Sequence, residues 1–252
     1  MKILAVTSGK GGVGKTSLSA NIGIALSQSG AKTILFDADL QLANVDVALG
    51  IQPEFTLQHV VAEEMGLADV ICEGPGGLKV IAGGSAISTL MAAGPKRMGT
   101  FLSQLDDLKS EADFLLFDTS AGLDNRVMTF CKVAEEIVLV TTPDPASVTD
   151  AYATVKVALK RSPGKPIGVV VNMAASDGEA LGVFRALSEI TRRFLDAELT
   201  NLGCVSMDTS VASCNRRRIP FLIGAPDCPA SRQVHQIAKR LRSRDASQRM
   251  SA

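Results

Sequence analysis

Short, unbroken apolar runs alternate along this chain with longer stretches in which apolar residues return every three or four positions. The runs at 2–7, 33–37, 78–81, 114–118, 136–141, 167–172 and 203–206 are rich in aliphatic residues and show little internal polar alternation. Strands of that kind are buried on both faces. The spacing at 15–29, 97–108, 125–132, 146–160, 179–195 and 231–241 predicts helices that lay an apolar stripe on such a sheet. Together they predict an α/β fold of three layers, a mostly parallel central sheet of about seven or eight strands flanked by helices on both faces.

Composition narrows this to one globular unit. At 252 residues, 46% apolar and 21% charged, the chain can bury a sizeable core. No repeat or Gly/Ser/Pro linker divides it, so residues 1–244 read as a single domain and 245–252 as a short, flexible C-terminal tail. Twenty-six basic residues balance twenty-six acidic ones, which leaves any nucleic-acid or membrane contact to a local patch. No apolar stretch reaches the length of a membrane span, and the start lacks a secretory leader, so a cytoplasmic protein is expected. The five cysteines are scattered, with no CxxC pair to suggest a metal or cluster site.

The chemistry concentrates after the first strand. Gly9, Lys10, Gly11, Gly12, Val13, Gly14, Lys15 and Thr16 spell GxxxxGK[ST] between a strand and a helix, the context in which a phosphate loop works. Its glycines let successive backbone N–H groups turn toward phosphate oxygens, and the helix that follows, opening on Lys15, Thr16 and Ser17, adds the positive end of its dipole. Lys15 would meet the β and γ phosphates of ATP, and the Thr16 hydroxyl would join the shell of Mg²⁺. The apolar strand 114–117 ends in Asp118, where a Walker B carboxylate reaches the same ion. These features make the expected fold that of a P-loop NTPase.

With its second lysine, Lys10, the loop KGGVGKT is of the deviant kind, and the chain resembles the MinD/ParA family of dimerising ATPases along essentially its whole length. The resemblance implies a slow, Mg²⁺-dependent ATPase activated by dimerisation, in which Lys10 reaches the partner's nucleotide in an ATP-dependent homodimer. It implies catalytic roles for Lys10, Lys15 and Asp39, the last orienting the attacking water. Asp37 would support the metal shell with Thr16 and Asp118. Asn44 would contact the switch or the partner subunit, Gly122 would turn its N–H toward the γ phosphate, and Asn172 would meet the adenine edge. Alternatives stand beside these: an Asp pair at a strand end also caps a following helix, and an Asn there also forms turns. Ser120 stands where many relatives have proline.

Within the family, the segments at 39–44, 142–152, 192–195 and 228–231 resemble the FlhG/FleN branch of flagellar-number regulators. That implies control of the position or number of a cellular structure, with protein partners from flagellar or polar assembly. A ParA-type carrier is the alternative. There the Arg216, Arg217 and Arg218 cluster would hold nucleoid DNA without reading its sequence. Peripheral contact with the inner membrane face is open, although the stripe Val234, Ile237, Ala238 and Leu241 reads as core packing rather than lipid insertion.

Overall fold

The computed structural model of the chain describes residues 1–39, 44–83, 86, 89 and 94–251, except for the side chains of 95 and 247–251. Eight strands form one sheet: β1 (Lys2–Ser8), β2 (Thr33–Ala38), β3 (Cys72–Glu73), β4 (Lys79–Ile81), β5 (Phe114–Ala121), β6 (Glu136–Thr141), β7 (Ile167–Ala174) and β8 (Thr200–Ser206). Their order is β3-β4-β2-β5-β1-β6-β7-β8. All pairings are parallel except that of β3 with β4. Chain directions diverge beside β1, so a crevice opens beyond its carboxyl end, where ligands of open α/β sheets bind.

The uniform apolar runs divide by strand periodicity between two covered faces. Leu4 and Val6 of β1, Leu116 of β5 and Val138 and Val140 of β6 enter one core cluster, which also holds the first and last long helices. Phe36 and Phe117 point the other way, into an aromatic cluster with Phe101 and Phe130. Ala5, Ile137, Leu139 and Val169 join a third cluster. Helix α1 (Lys15–Gln28) is buried all round from Leu18 to Leu26, as a helix enclosed on several sides must be.

Further helices among the described residues include α2 (Val45–Leu49), α3 (Leu57–Val61), α4 (Pro95–Ser103), α5 (Asn125–Val133), α6 (Pro145–Arg161), α7 (Asp177–Leu195), α8 (Thr209–Arg216), α9 (Phe221–Gly224) and α10 (Pro229–Ser251). Two expectations change. The helix expected at 97–108 stops at Ser103 and continues as 3₁₀ turns over Gln104–Ser110, a geometry that stacks the buried Leu105 and Leu108, three apart, on one side. The helix expected to end at Leu241 runs to Ser251, through the segment read as a tail. No Gly or Pro interrupts it after Pro229. Arg242 bonds the Ser29 carbonyl at the end of α1, and Arg244 bonds Thr200 of β8 and Glu136 of β6, which fastens the start of this extension to α1 and the sheet.

Candidate nucleotide site

Helices that follow the later strands begin on a side-chain cap. Asp124, Asp144, Ser176 and Asp208 accept backbone N–H groups at the starts of α5, α6, α7 and α8. Helix α1 begins differently, on Gly14 in the left-handed conformation (φ 82°) with no side-chain cap. Its first N–H groups are therefore left for a ligand. Gly14 has no alternative: a Cβ there would lie 2.4 Å from Nδ2 of Asn172. At Gly9 it would lie 2.3 Å from the Asp150 carbonyl oxygen, so the loop is pinned between α6 and β7. The loop walls a cavity of about 390 Å³ together with Ser8, Ser17, Asp39, Ser120 and Ala121.

Behind that cavity sits a buried polar cluster. Lys15, only 7% exposed, places Nζ 3.4 Å from Oδ1 of Asp118, and the Ser19 hydroxyl donates to the same oxygen at 2.7 Å. Oδ2 of Asp118 is buried and has no hydrogen-bond partner. An unpaired, buried carboxylate oxygen, on a side chain paired with the Lys15 that lines the cavity together with Thr16, is suited to a hard divalent cation and its waters. Thr16 and Asp118 are thus the residues that would hold Mg²⁺, whose charge would offset that of the phosphates.

Parallel pairing of β2 with β5 sets Asp37 directly beside Asp118. Burial first, and then the Asp118 charge, push the Asp37 carboxyl up to about 7, although it accepts N–H bonds from Asp39 and Val45. Asp39 lines the cavity itself. Leu40 to Ala43 of the expected first switch lie outside the described residues. Asn44 begins α2 and is not among the cavity-lining residues. Gly122, at φ 108°, donates its N–H to the Ser8 carbonyl at 2.9 Å, so reaching a phosphate would require breaking that bond.

Lys10 is on the outside. Its Nζ pairs with Oδ2 of Asp144 at 2.6 Å, and its side chain is 43% exposed. That lysine holds the Asp144 carboxyl below the usual carboxylate range. On the other side of Gly14 is a second, largely apolar cavity of about 190 Å³, reached by Asn172, whose Nδ2 donates to the Val13 carbonyl at 2.8 Å. The two cavities share Gly14 and Ser17. A polyanion cradle thereby adjoins a slot for a flat apolar group.

A ParA family model, described as NUBPL iron-transfer P-loop NTPase, matches residues 1–242. This chain belongs to the ParA/MinD family of P-loop ATPases. Among similar proteins is the antiactivator FleN of Pseudomonas aeruginosa, 36% identical over 96% of this chain and 87% of its own. Another is the flagellum site-determining protein YlxH of Helicobacter pylori, 33% identical over 94% of this chain and 80% of its own. The septum site-determining protein MinD of Pyrococcus horikoshii, complexed with Mg-ADP, superposes with a TM-score of 0.79 at 27% identity, over 95% of each chain. Among the described residues, no three His, Cys, Asp or Glu side chains gather where a metal could bind.

The ParA/MinD site contains residues that the motif reading missed. Ser19 lies one helical turn beyond Lys15, so its position facing the strand ends was readable from the four-residue spacing. Asp144 is visible in sequence only as a helix cap, because its pairing with Lys10 joins residues 134 apart. Met173 left no signal at all. It lines the apolar cavity together with Asn172 through a backbone irregularity, whereas strand alternation would place it on the opposite face.

Proposed function

We propose that this protein is an ATP-switched homodimer that sets the position or number of a cellular structure, in the manner of its flagellar relatives. The observation that carries the reading is the division of labour between two lysines of one loop. Lys15 is drawn inward onto Asp118. Lys10 projects from the lip onto a helix start, where a second subunit could recruit it to stabilise charge on a transferring phosphoryl group. Asp39, at the cavity wall, is the residue that orients the attacking water, and Asp37 supports the metal shell from behind Asp118. Asn172 meets the base, Gly122 responds to the γ phosphate, and Asn44 serves the switch or subunit contact. YlxH is named a flagellum site-determining protein and FleN an antiactivator, and each matches this chain above 30% identity over most of its length, which favours flagellar components as partners.

Nucleoid DNA is the competing cargo. Arg216, Arg217 and Arg218 are exposed, and the first two border an open pocket with Thr209, Ser210 and Ser213. The described residues contain no helix long and apolar enough to cross a membrane. Asp39→Ala is expected to retain Mg·ATP while losing hydrolysis, which makes it a trap for partners. Immobilised with Mg·ATP and passed over cell extract beside a Lys15→Ala control, it should hold flagellar assembly proteins. Retention of DNA alone, released by salt, would replace the flagellar reading with the carrier one. Undiminished ATP turnover by Asp39→Ala would contradict the role given to that residue.

A further inference from the structure

The slot beside Gly14 is framed by two methionines. Successive strand residues point to opposite faces, yet Asn172 and Met173 line the same cavity. The cause is a register shift between Asn172 and Ala174, where Met173 takes φ 57°. A positive φ at a non-glycine residue is a strained conformation, and a bulge of this kind re-aims a side chain. It brings Met173 Cε to 3.5 Å from where a Cβ on Gly14 would lie. Met207 follows β8 and enters the same cavity with its backbone tied to the Ala174 carbonyl. Met207 is 74% exposed and Met173 39%. Met98 and Met128, by contrast, are buried in the core.

We propose that Met173 and Met207 form a paired oxidation site through which peroxide lowers nucleotide affinity and bound nucleotide shields the thioethers. The inference rests on the reading of this slot as the seat of the ATP base. Thioether sulfur attacks one oxygen of hydrogen peroxide. An S–O bond forms as the O–O bond breaks, sulfur is oxidised to the sulfoxide, and the peroxide is reduced to water after proton transfer to the leaving oxygen. A soft apolar group that packs against an aromatic ring becomes a polar one in a largely apolar slot. A base bound between the two sulfurs would cover both.

The test uses the full chain, treated with hydrogen peroxide with and without Mg·ATP. Sulfoxide at each methionine is read by peptide mass spectrometry, and ATP affinity by calorimetry. Sulfoxide should form fastest at Met207 and Met173, and Mg·ATP should suppress both. Oxidation should weaken ATP binding by about fivefold to tenfold, the scale of putting a polar sulfoxide in place of an apolar thioether in this slot. The Met173→Leu/Met207→Leu protein, compared with itself before treatment, should lose no ATP affinity on exposure to peroxide, since it keeps the volume of the slot but has no thioether there to oxidise. Met173→Gln/Met207→Gln should imitate the oxidised protein without any oxidant. If ATP shields both residues but the oxidised chain binds ATP unchanged, the oxidation control is overturned and the base slot stands. If ATP shields neither, the base-slot reading itself fails. A peroxide-induced loss of affinity in the leucine variant equal to the parent's would place the sensitive group elsewhere and overturn the proposal.

Discussion

Asp37 is the residue on which the site's electrostatics press hardest. Its carboxyl, pushed up to about 7 by burial and by Asp118, binds a proton in the folded chain at pH values where the unfolded chain has released it. Between about pH 4 and pH 7 the native state thus holds the extra proton, and stability of the nucleotide-free protein falls as pH rises through that window. Asp37→Asn should flatten this slope, and urea unfolding across the range would show it. A slope as steep as the parent's would mean that Asp37 ionises normally. The same carboxylate pair explains why the fold favours a cation: Asp118 keeps one oxygen without a hydrogen-bond partner, and a positive ion there offsets the repulsion that, after burial, raises Asp37.

Among the elements, β1 is gripped at both ends by charge. At its carboxyl end it delivers the loop to Asp118. At its amino end the buried Lys2 pairs with Glu136 of β6 at 2.9 Å, and Arg244 from α10 reaches the same carboxylate at 3.1 Å. Replacing Lys2 by Met leaves Glu136 buried with one partner, which should destabilise the fold by about 3–5 kcal/mol in urea. Adding Glu136→Gln should restore part of that loss, and a single variant as stable as the parent would refute the role of the pair. This contact was illegible in the sequence, where Lys2 is simply the first residue of an apolar run. The strands themselves were legible because double-sided burial writes them as continuous aliphatic runs. β3 was not, since Cys72–Glu73 is too short to show a period. The phosphate loop and Asp118 were legible because their chemistry is local. Asp144 and Met173 were harder to read because tertiary packing, rather than neighbouring sequence, sets their surroundings.

At the scale of the molecule, one sheet with helices on both faces holds two lysines of a single loop in opposite settings. A lone exposed ion pair such as Lys10–Asp144 is a weak restraint, so ATP and a second subunit can redirect Lys10 at little cost. A switch of this sort works only if the partner binds one state better than the other. The most direct test is the mass of the protein in solution by sedimentation equilibrium with Mg·ATP or Mg·ADP, using Asp39→Ala to prevent turnover, with and without Lys10→Ala. The account predicts a dimer with Mg·ATP and a monomer with Mg·ADP. Adding Lys10→Ala should leave ATP affinity within about threefold, because that lysine faces away from its own cluster, yet abolish the dimer. A dimer that forms equally well without Lys10, or a protein that stays monomeric with Mg·ATP bound, would contradict it.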